Sequence, residues 1–121
     1  MTYREFLDLY QYACASEDYN EFLHYAQDIG VCDEELLSTG ILYSVWLYCE
    51  DQSCNKIREL TGMSRAKFSR EYGIPVRTVE NWELKRTYPS DWTLNLLAYA
   101  VMQEIHQAPK ANQDLEPEEE G

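Results

Sequence analysis

The chain has 121 residues, of which 45% are hydrophobic and 26% charged, and its formal net charge at pH 7 is −12. A chain of this length buries one modest core and has no room for two substantial domains. It contains no stretch near the roughly 20 consecutive apolar residues that a membrane span requires, and its first residues lack the apolar segment of a signal peptide. We therefore expect a cytoplasmic protein that does not enter a membrane.

Two amphipathic helices are predicted at the start of the chain. Their apolar residues recur at steps of three and four, which places each set on one face of a helix. Ser16 is a suitable N-cap for the second helix, and Gly30 supplies its C-terminal stop. The first apolar set is Tyr3, Phe6, Leu7, Tyr10, Ala13 and Cys14, and the second is Tyr19, Phe22, Leu23, Ala26 and Ile29.

A third segment begins at Asp33, which is suited to cap a helix over residues 34–37, although Gly40 leaves its continuation to Cys49 open. The run 41–49 is apolar almost all round, so we expect a central buried segment that joins the two halves of the molecule. A buried β-strand is the competing interpretation of so short a run, but no second strand pattern is present to pair with it.

Four further helices are predicted between residues 53 and 105. Ser53 caps the first, which ends at Gly62, and the second runs from its N-cap Ser64 to Gly73. The third covers 76–83 and the fourth starts near residue 90. The residues expected to face inward are Ile57, Leu60, Phe68, Tyr72, Val79, Trp82, Trp92, Leu94, Leu96, Leu97, Tyr99, Ala100 and Val101. Residues 107–121 are too polar to bury a core, so we predict a disordered acidic tail.

The side chains that carry most enzyme and metal chemistry form no recognisable pattern. The cysteines and histidines are Cys14, Cys32, Cys49, Cys54, His24 and His106. No C-x-x-C pair is present, so we expect reduced thiols, no metal and no cofactor; a metal or redox role for Cys49 and Cys54, five apart, is the minor alternative. Without a glycine-rich phosphate loop or a histidine beside a nucleophile, we expect no enzyme.

Charge is distributed unevenly along the chain. Eight of the ten basic residues lie between 56 and 86, where four acids leave a net charge of +4. Residues 1–55 carry a net charge of −10 and residues 87–121 a net charge of −6. Because binding to phosphates requires cationic side chains, residues 56–86 are the part suited to nucleic acid. The acidic flanks are suited to solubility or to a protein partner.

Two short helices joined by a glycine-containing turn are typical of a helix-turn-helix motif. Ser69, one turn before Gly73, has the small side chain that close packing of the two helices requires. With Val79 and Trp82 facing inward, an advance of about 100° per residue places Arg77 and Asn81 outward.

Arginine pairs with guanine and asparagine with adenine through two hydrogen bonds each, and small apolar groups contact the thymine methyl. Cations and hydroxyls at the ends of the helices are suited to phosphate oxygens. The predicted base contacts are therefore Val76, Arg77, Thr78 and Asn81, and the predicted phosphate contacts are Ser64, Arg65, Lys85 and Arg86.

The stretch 61–83, TGMSRAKFSREYGIPVRTVENWE, resembles the helix-turn-helix of the Cro and phage-repressor type (XRE-like), and with Pro89 the resemblance extends over residues 53–105. It implies an all-α, lambda-repressor-like bundle that binds the major groove through helix 76–83, usually as a dimer on a palindromic operator. Arg65 stands where this family has Gln, Ser69 where it has Ala, and Lys85 where it has Gly. Either Lys85 adopts a positive φ, or the helix ends differently.

Two functions are consistent with these patterns. In the first, residues 53–105 bind a double-stranded DNA operator as a homodimeric transcriptional regulator, while the acidic helical extension 1–50 dimerises the protein or binds a protein partner. In the second, the chain is an acidic protein-interaction module on a helix-turn-helix fold, such as an antitoxin, an anti-defence protein or a DNA mimic. The positive charge on the motif favours the first, and the net charge of −12 favours the second.

Overall fold

The computed structural model describes residues 1–30 and 40–107, and all of the regular structure in this part of the chain is helical. The predicted all-α fold is thereby confirmed, and residues 41–49 lie in a helix rather than a strand. The helices are α1 (Tyr3–Ala15), α2 (Tyr19–Asp28), α3 (Ile41–Glu50), α4 (Cys54–Thr61), α5 (Arg65–Tyr72), α6 (Val76–Glu83) and α7 (Asp91–Gln107).

The first two helices begin at side chains that satisfy their free backbone N–H groups. Thr2 Oγ1 accepts a hydrogen bond from the Glu5 backbone at 3.1 Å, and Glu5 Oε1 accepts one from the Thr2 backbone at 2.8 Å, which closes a capping box. Asp18 caps α2 by accepting from the Glu21 backbone at 2.8 Å. The prediction that Ser16 caps α2 is wrong, because its hydroxyl donates to the Tyr12 carbonyl of the preceding helix at 2.6 Å.

One hydrophobic core joins the two halves of the chain. Helices α1, α3 and α7 pack against one another, and α4 packs on α3 and α7. The rings of Tyr3 and Tyr99 meet edge to face with centroids 5.4 Å apart, and the hydroxyl of Tyr48 donates to Asn95 Oδ1 at 2.8 Å. The run 41–49 therefore lies in a central helix of the core, as its composition predicts, although Tyr43 within it is 51% exposed.

Three predicted core positions are wrong. The buried stripe of α1 is Phe6, Leu9 and Ala13, whereas Cys14 is exposed. The buried face of α7 contains Leu94 and the residues that follow it at helical spacing. Trp92 lies two residues before Leu94, so it is on the opposite side of the helix and is 68% exposed. Ala100 is exposed for the same reason.

Two predictions fall on residues outside the described part of the chain. These are the helix starting at Asp33 and the acidic tail from residue 108 onward. Gln107, assigned to the tail by its composition, is the last residue of α7. Among the described residues, none of the helices combines the length and the apolar character that crossing a membrane requires.

Candidate nucleic-acid interface

Helices α5 and α6 are joined by a tight turn that side chains and backbone hold in place. Gly73 lies in the left-handed region with φ 67°, where a glycine has no side chain to clash. The Ile74 backbone donates to the Ser69 carbonyl at 3.1 Å, and the Ser69 hydroxyl donates back to the Ile74 carbonyl. Ser69 thus does more than leave space between the helices, because its hydroxyl fixes the turn that orients α6.

Helix α6 presents one face to the core and another to solvent. Val79 is fully buried and Trp82 packs against the core with part of its ring exposed. On the other side Val76 is 50% exposed and Arg77 is exposed, while Thr78 is half-buried. The structure therefore brings Val76 and Arg77, two of the predicted base contacts, to the outer side at the start of one short helix, with Thr78 beside them at the edge of the buried face.

Asn81, the fourth predicted base contact, is half-buried and lies beside Arg86. Its Oδ1 accepts a long hydrogen bond of 3.4 Å from Arg86 Nη1, and its carbonyl accepts one of 2.9 Å from the Arg86 backbone. The amide and the guanidinium are thus held at one end of α6.

The chain leaves α6 through a left-handed residue. Helix α6 ends at Glu83, and Lys85 has φ 63°, the conformation that glycine would adopt without strain. Of the two alternatives that its sequence leaves open, Lys85 adopts the positive φ. Lys85 and Arg86 are both exposed after this turn, where their charges face solvent.

Arg65 lies in an ion-pair cluster that sequence patterns did not reveal. Its Nη2 lies 3.0 Å from Glu83 Oε1, and its Nη1 lies 3.9 Å from Glu80 Oε2. Arg58 Nε donates to Glu83 Oε2 at 2.6 Å, and Arg58 Nη1 donates to the Met63 carbonyl at 3.0 Å. The cluster links α4, α5 and α6 through one carboxylate.

Glu83 is the buried member of this cluster, with a side chain that is 1% exposed. Burial by itself would raise the pKa of the Glu83 carboxyl, but hydrogen bonds from Arg58 and Arg65 outweigh it and hold that pKa below its usual range. A signal for this role is present in the sequence, because Glu83 lies four residues after the inward-facing Val79 and so shares its face of α6.

The other cations around α5 and α6 have no acidic partner at ion-pair distance in the part of the chain that the structure describes. No ion pair within the described residues involves Lys67, Arg70, Arg77, Lys85 or Arg86, and all five are exposed. Ser64, predicted to contact phosphate, caps α5 by accepting from the Lys67 backbone at 3.1 Å and is exposed. The surface thus combines exposed positive charge with an outward-facing helix.

Comparison with models of protein families, with curated proteins and with solved structures found no match to this chain.

Proposed function

We propose that this protein is a sequence-specific DNA-binding regulator of transcription, in which α5 and α6 form a helix-turn-helix of the Cro and phage-repressor type. The observation that carries the proposal is the separation of charge on this motif. Glu83 is turned inward and neutralised by Arg58 and Arg65, while the exposed cations around α6 have no acidic partner among the described residues. Positive charge therefore faces outward in a molecule that is negative as a whole, which is what binding to phosphates requires.

Helix α6 supplies the side chains for base recognition. Arg77 is exposed and has the two parallel donors that match guanine O6 and N7, and Val76 offers a methyl group to thymine. The Oδ1 of Asn81 accepts one bond of 3.4 Å from Arg86, which is weak at that length, and its second lone pair is available to accept from adenine N6. Thr78 flanks this set at the edge of the buried face.

The flanking cations supply contacts to the DNA backbone. Lys85 and Arg86 follow α6, and Lys67 and Arg70 extend the exposed positive surface along α5. Arg65 is 37% exposed and shares its guanidinium between Glu83 and solvent, so we expect it to position α5 against α6 more than it binds phosphate. Contacts of this kind set orientation and carry no sequence information by themselves.

Selection of bound duplexes from a random DNA pool tests the proposal most directly. We expect enrichment of one motif, and an inverted repeat would show that two copies bind together. Binding to the selected duplex is then measured by fluorescence anisotropy at several salt concentrations. If the selection enriches no motif and the protein does not bind bulk DNA at low salt, the proposal is contradicted.

A second function is favoured by a different surface. Glu17 and Asp18 are exposed at the start of α2, and the next residue, Tyr19, packs edge to face on the exposed Tyr43 with centroids 5.3 Å apart. Acidic side chains beside exposed aromatic surface suit a basic protein partner. In this alternative the helix-turn-helix fold is retained and the acidic half acts. Capture of a basic partner by a protein that binds no DNA would favour it.

A further inference from the structure

The last turns of α1 and α3 bring two cysteine side chains together. Sγ of Cys49 lies 3.1 Å from Sγ of Cys14, although the two residues are 35 apart in the sequence. Helices α1 and α3 pack directly against each other, so packed helices, not a loop, hold this pair. The pair that sequence spacing suggests, Cys49 with Cys54, is not the one that meets: Cys54 is buried in α4.

The two thiols differ in their access to solvent. Cys14 is exposed, whereas Cys49 is half-buried. Burial and a hydrogen bond with Cys14 raise the pKa of Cys49 to about 12, so the Cys49 thiol stays protonated at neutral pH. Because the thiolate is the reactive form, an oxidant in solution reacts first at Cys14.

We propose that Cys14 and Cys49 are a modification site at which hydrogen peroxide forms a reversible disulfide between α1 and α3. In the first step the Cys14 sulfur attacks one peroxide oxygen, the O–O bond breaks, and the departing hydroxide leaves as water with the thiol proton. This step yields a sulfenic acid on Cys14.

In the second step the Cys49 sulfur attacks the Cys14 sulfur. The S–O bond breaks, and hydroxide leaves as a second water with the proton of the Cys49 thiol. The two thiols have then lost two electrons, and one peroxide has been reduced to two waters. The sulfurs approach by about 1 Å to reach the length of a disulfide, a movement that rotation of the side chains supplies.

The disulfide would constrain the unfolded chain, because it closes a loop that contains all of α2. By the loop-entropy relation for a separation of 35 residues, we expect oxidation to raise Tm by roughly 20 °C, and a reductant to reverse the change. The reaction does not depend on DNA binding, since both cysteines lie outside α5 and α6.

Peptide mapping by mass spectrometry after treatment of the full chain with one equivalent of hydrogen peroxide tests the site. We expect a cross-linked peptide pair containing Cys14 and Cys49, which dithiothreitol separates. Cys49→Ser should stop at a Cys14 sulfenic acid that dimedone traps, and Cys14→Ser should give neither product. Cys54→Ala and Cys32→Ser are the matched controls and should still form the disulfide.

Three results would overturn the proposal. One is a disulfide that links Cys32, or that joins two chains. Another is accumulation of the Cys14 sulfenic acid in the unsubstituted protein, which would mean that Cys49 does not reach it. The third is equal reactivity of Cys14→Ser and the unsubstituted protein. The peptide map of the unsubstituted protein decides the first two of these outcomes even if a variant fails to fold.

Discussion

Replacing Glu83 by glutamine tests whether one buried carboxylate holds the three helices of the candidate DNA-binding surface together. Glutamine keeps the shape of the side chain and one acceptor oxygen, but it removes the charge and adds an NH₂ group that faces arginine donors. Arg58 and Arg65 would then lose the negative charge that they share, and the contact between α4 and α6 would weaken.

The size of the effect follows from the exposure of the three side chains. Removing one member of a fully buried ion pair costs about 3–5 kcal/mol. Here Glu83 is 1% exposed but Arg58 is 26% and Arg65 37% exposed, so water partly solvates both guanidinium groups after the change. We therefore expect Glu83→Gln to lower the free energy of unfolding by about 2 kcal/mol, which lowers Tm by roughly 10 °C in a domain of this size.

Urea denaturation followed by circular dichroism measures this loss. Glu80→Gln is the matched control, because Glu80 also lies on α6 but its carboxylate is 39% exposed and 3.9 Å from Arg65. Its loss should stay below about 0.5 kcal/mol. If the two variants unfolded at the same urea concentration, Glu83 would not be the link between the helices.

The remaining predictions concern pH, the ends of α6 and its exposed side. Folding lowers the pKa of Glu83 below its ordinary value of 4.5, so the contribution of Glu83 to stability is complete above that pH and is lost as the pH falls through the folded pKa. The urea midpoint of Glu83→Gln should therefore change less between neutral and acid pH than that of the unsubstituted protein. An equal change in both proteins would contradict this. Lys85→Gly should stabilise the fold by up to about 1 kcal/mol, because glycine adopts the positive φ without strain. It should also reduce the salt dependence of DNA binding by about one phosphate contact. A lower stability of this variant in urea would show that Lys85 is not strained. Arg77→Ala should weaken binding to the selected duplex by about 1–3 kcal/mol and binding to random DNA only slightly, whereas Arg4→Ala on α1 should change neither affinity. Equal losses of affinity for both DNAs would exclude base readout by Arg77. Trp82→Ala should cost about 2–3 kcal/mol, less than for a fully buried aromatic, and normal melting would show that Trp82 is not part of the core.

Local patterns were sufficient to predict the helices of the second half of the chain. Helix α6 covers Val76–Glu83, the range expected from its sequence, because Pro75 directly before it marks its start; the left-handed conformation of Lys85 after it was one of two alternatives that the sequence left open. Ser53, Ser64 and Gly73 likewise act at the helix ends where their chemistry places them. Capping and turn formation depend on neighbours within a few residues, so a sequence reveals them.

Contacts between distant residues could not be predicted in the same way. The link from Arg58 to Glu83 spans 25 positions, and the meeting of Cys14 and Cys49 spans 35. Both depend on how whole helices pack, which periodicity along one helix does not specify. The same reason explains Trp92: its residue type suggests a core position, but the face of α7 that is buried is decided by the helices packed against it.

The shared core bears on how an acidic protein would approach DNA. Helix α6 packs on α4 and α5, whereas the acidic helix α2 packs on α1 and α3. Different helices therefore hold α2 and α6 in place. At 0.1 M salt, charges separated by more than about 10 Å are largely screened from each other. We therefore expect repulsion from the acids of α1 and α2 to slow the encounter with DNA mainly at low salt, whereas the proposed contacts of Arg77, Lys85 and Arg86 would act at short range. Added salt would weaken the proposed phosphate contacts but also remove this repulsion, so we expect the affinity for DNA to fall with salt less steeply than the number of cations around α6 alone predicts.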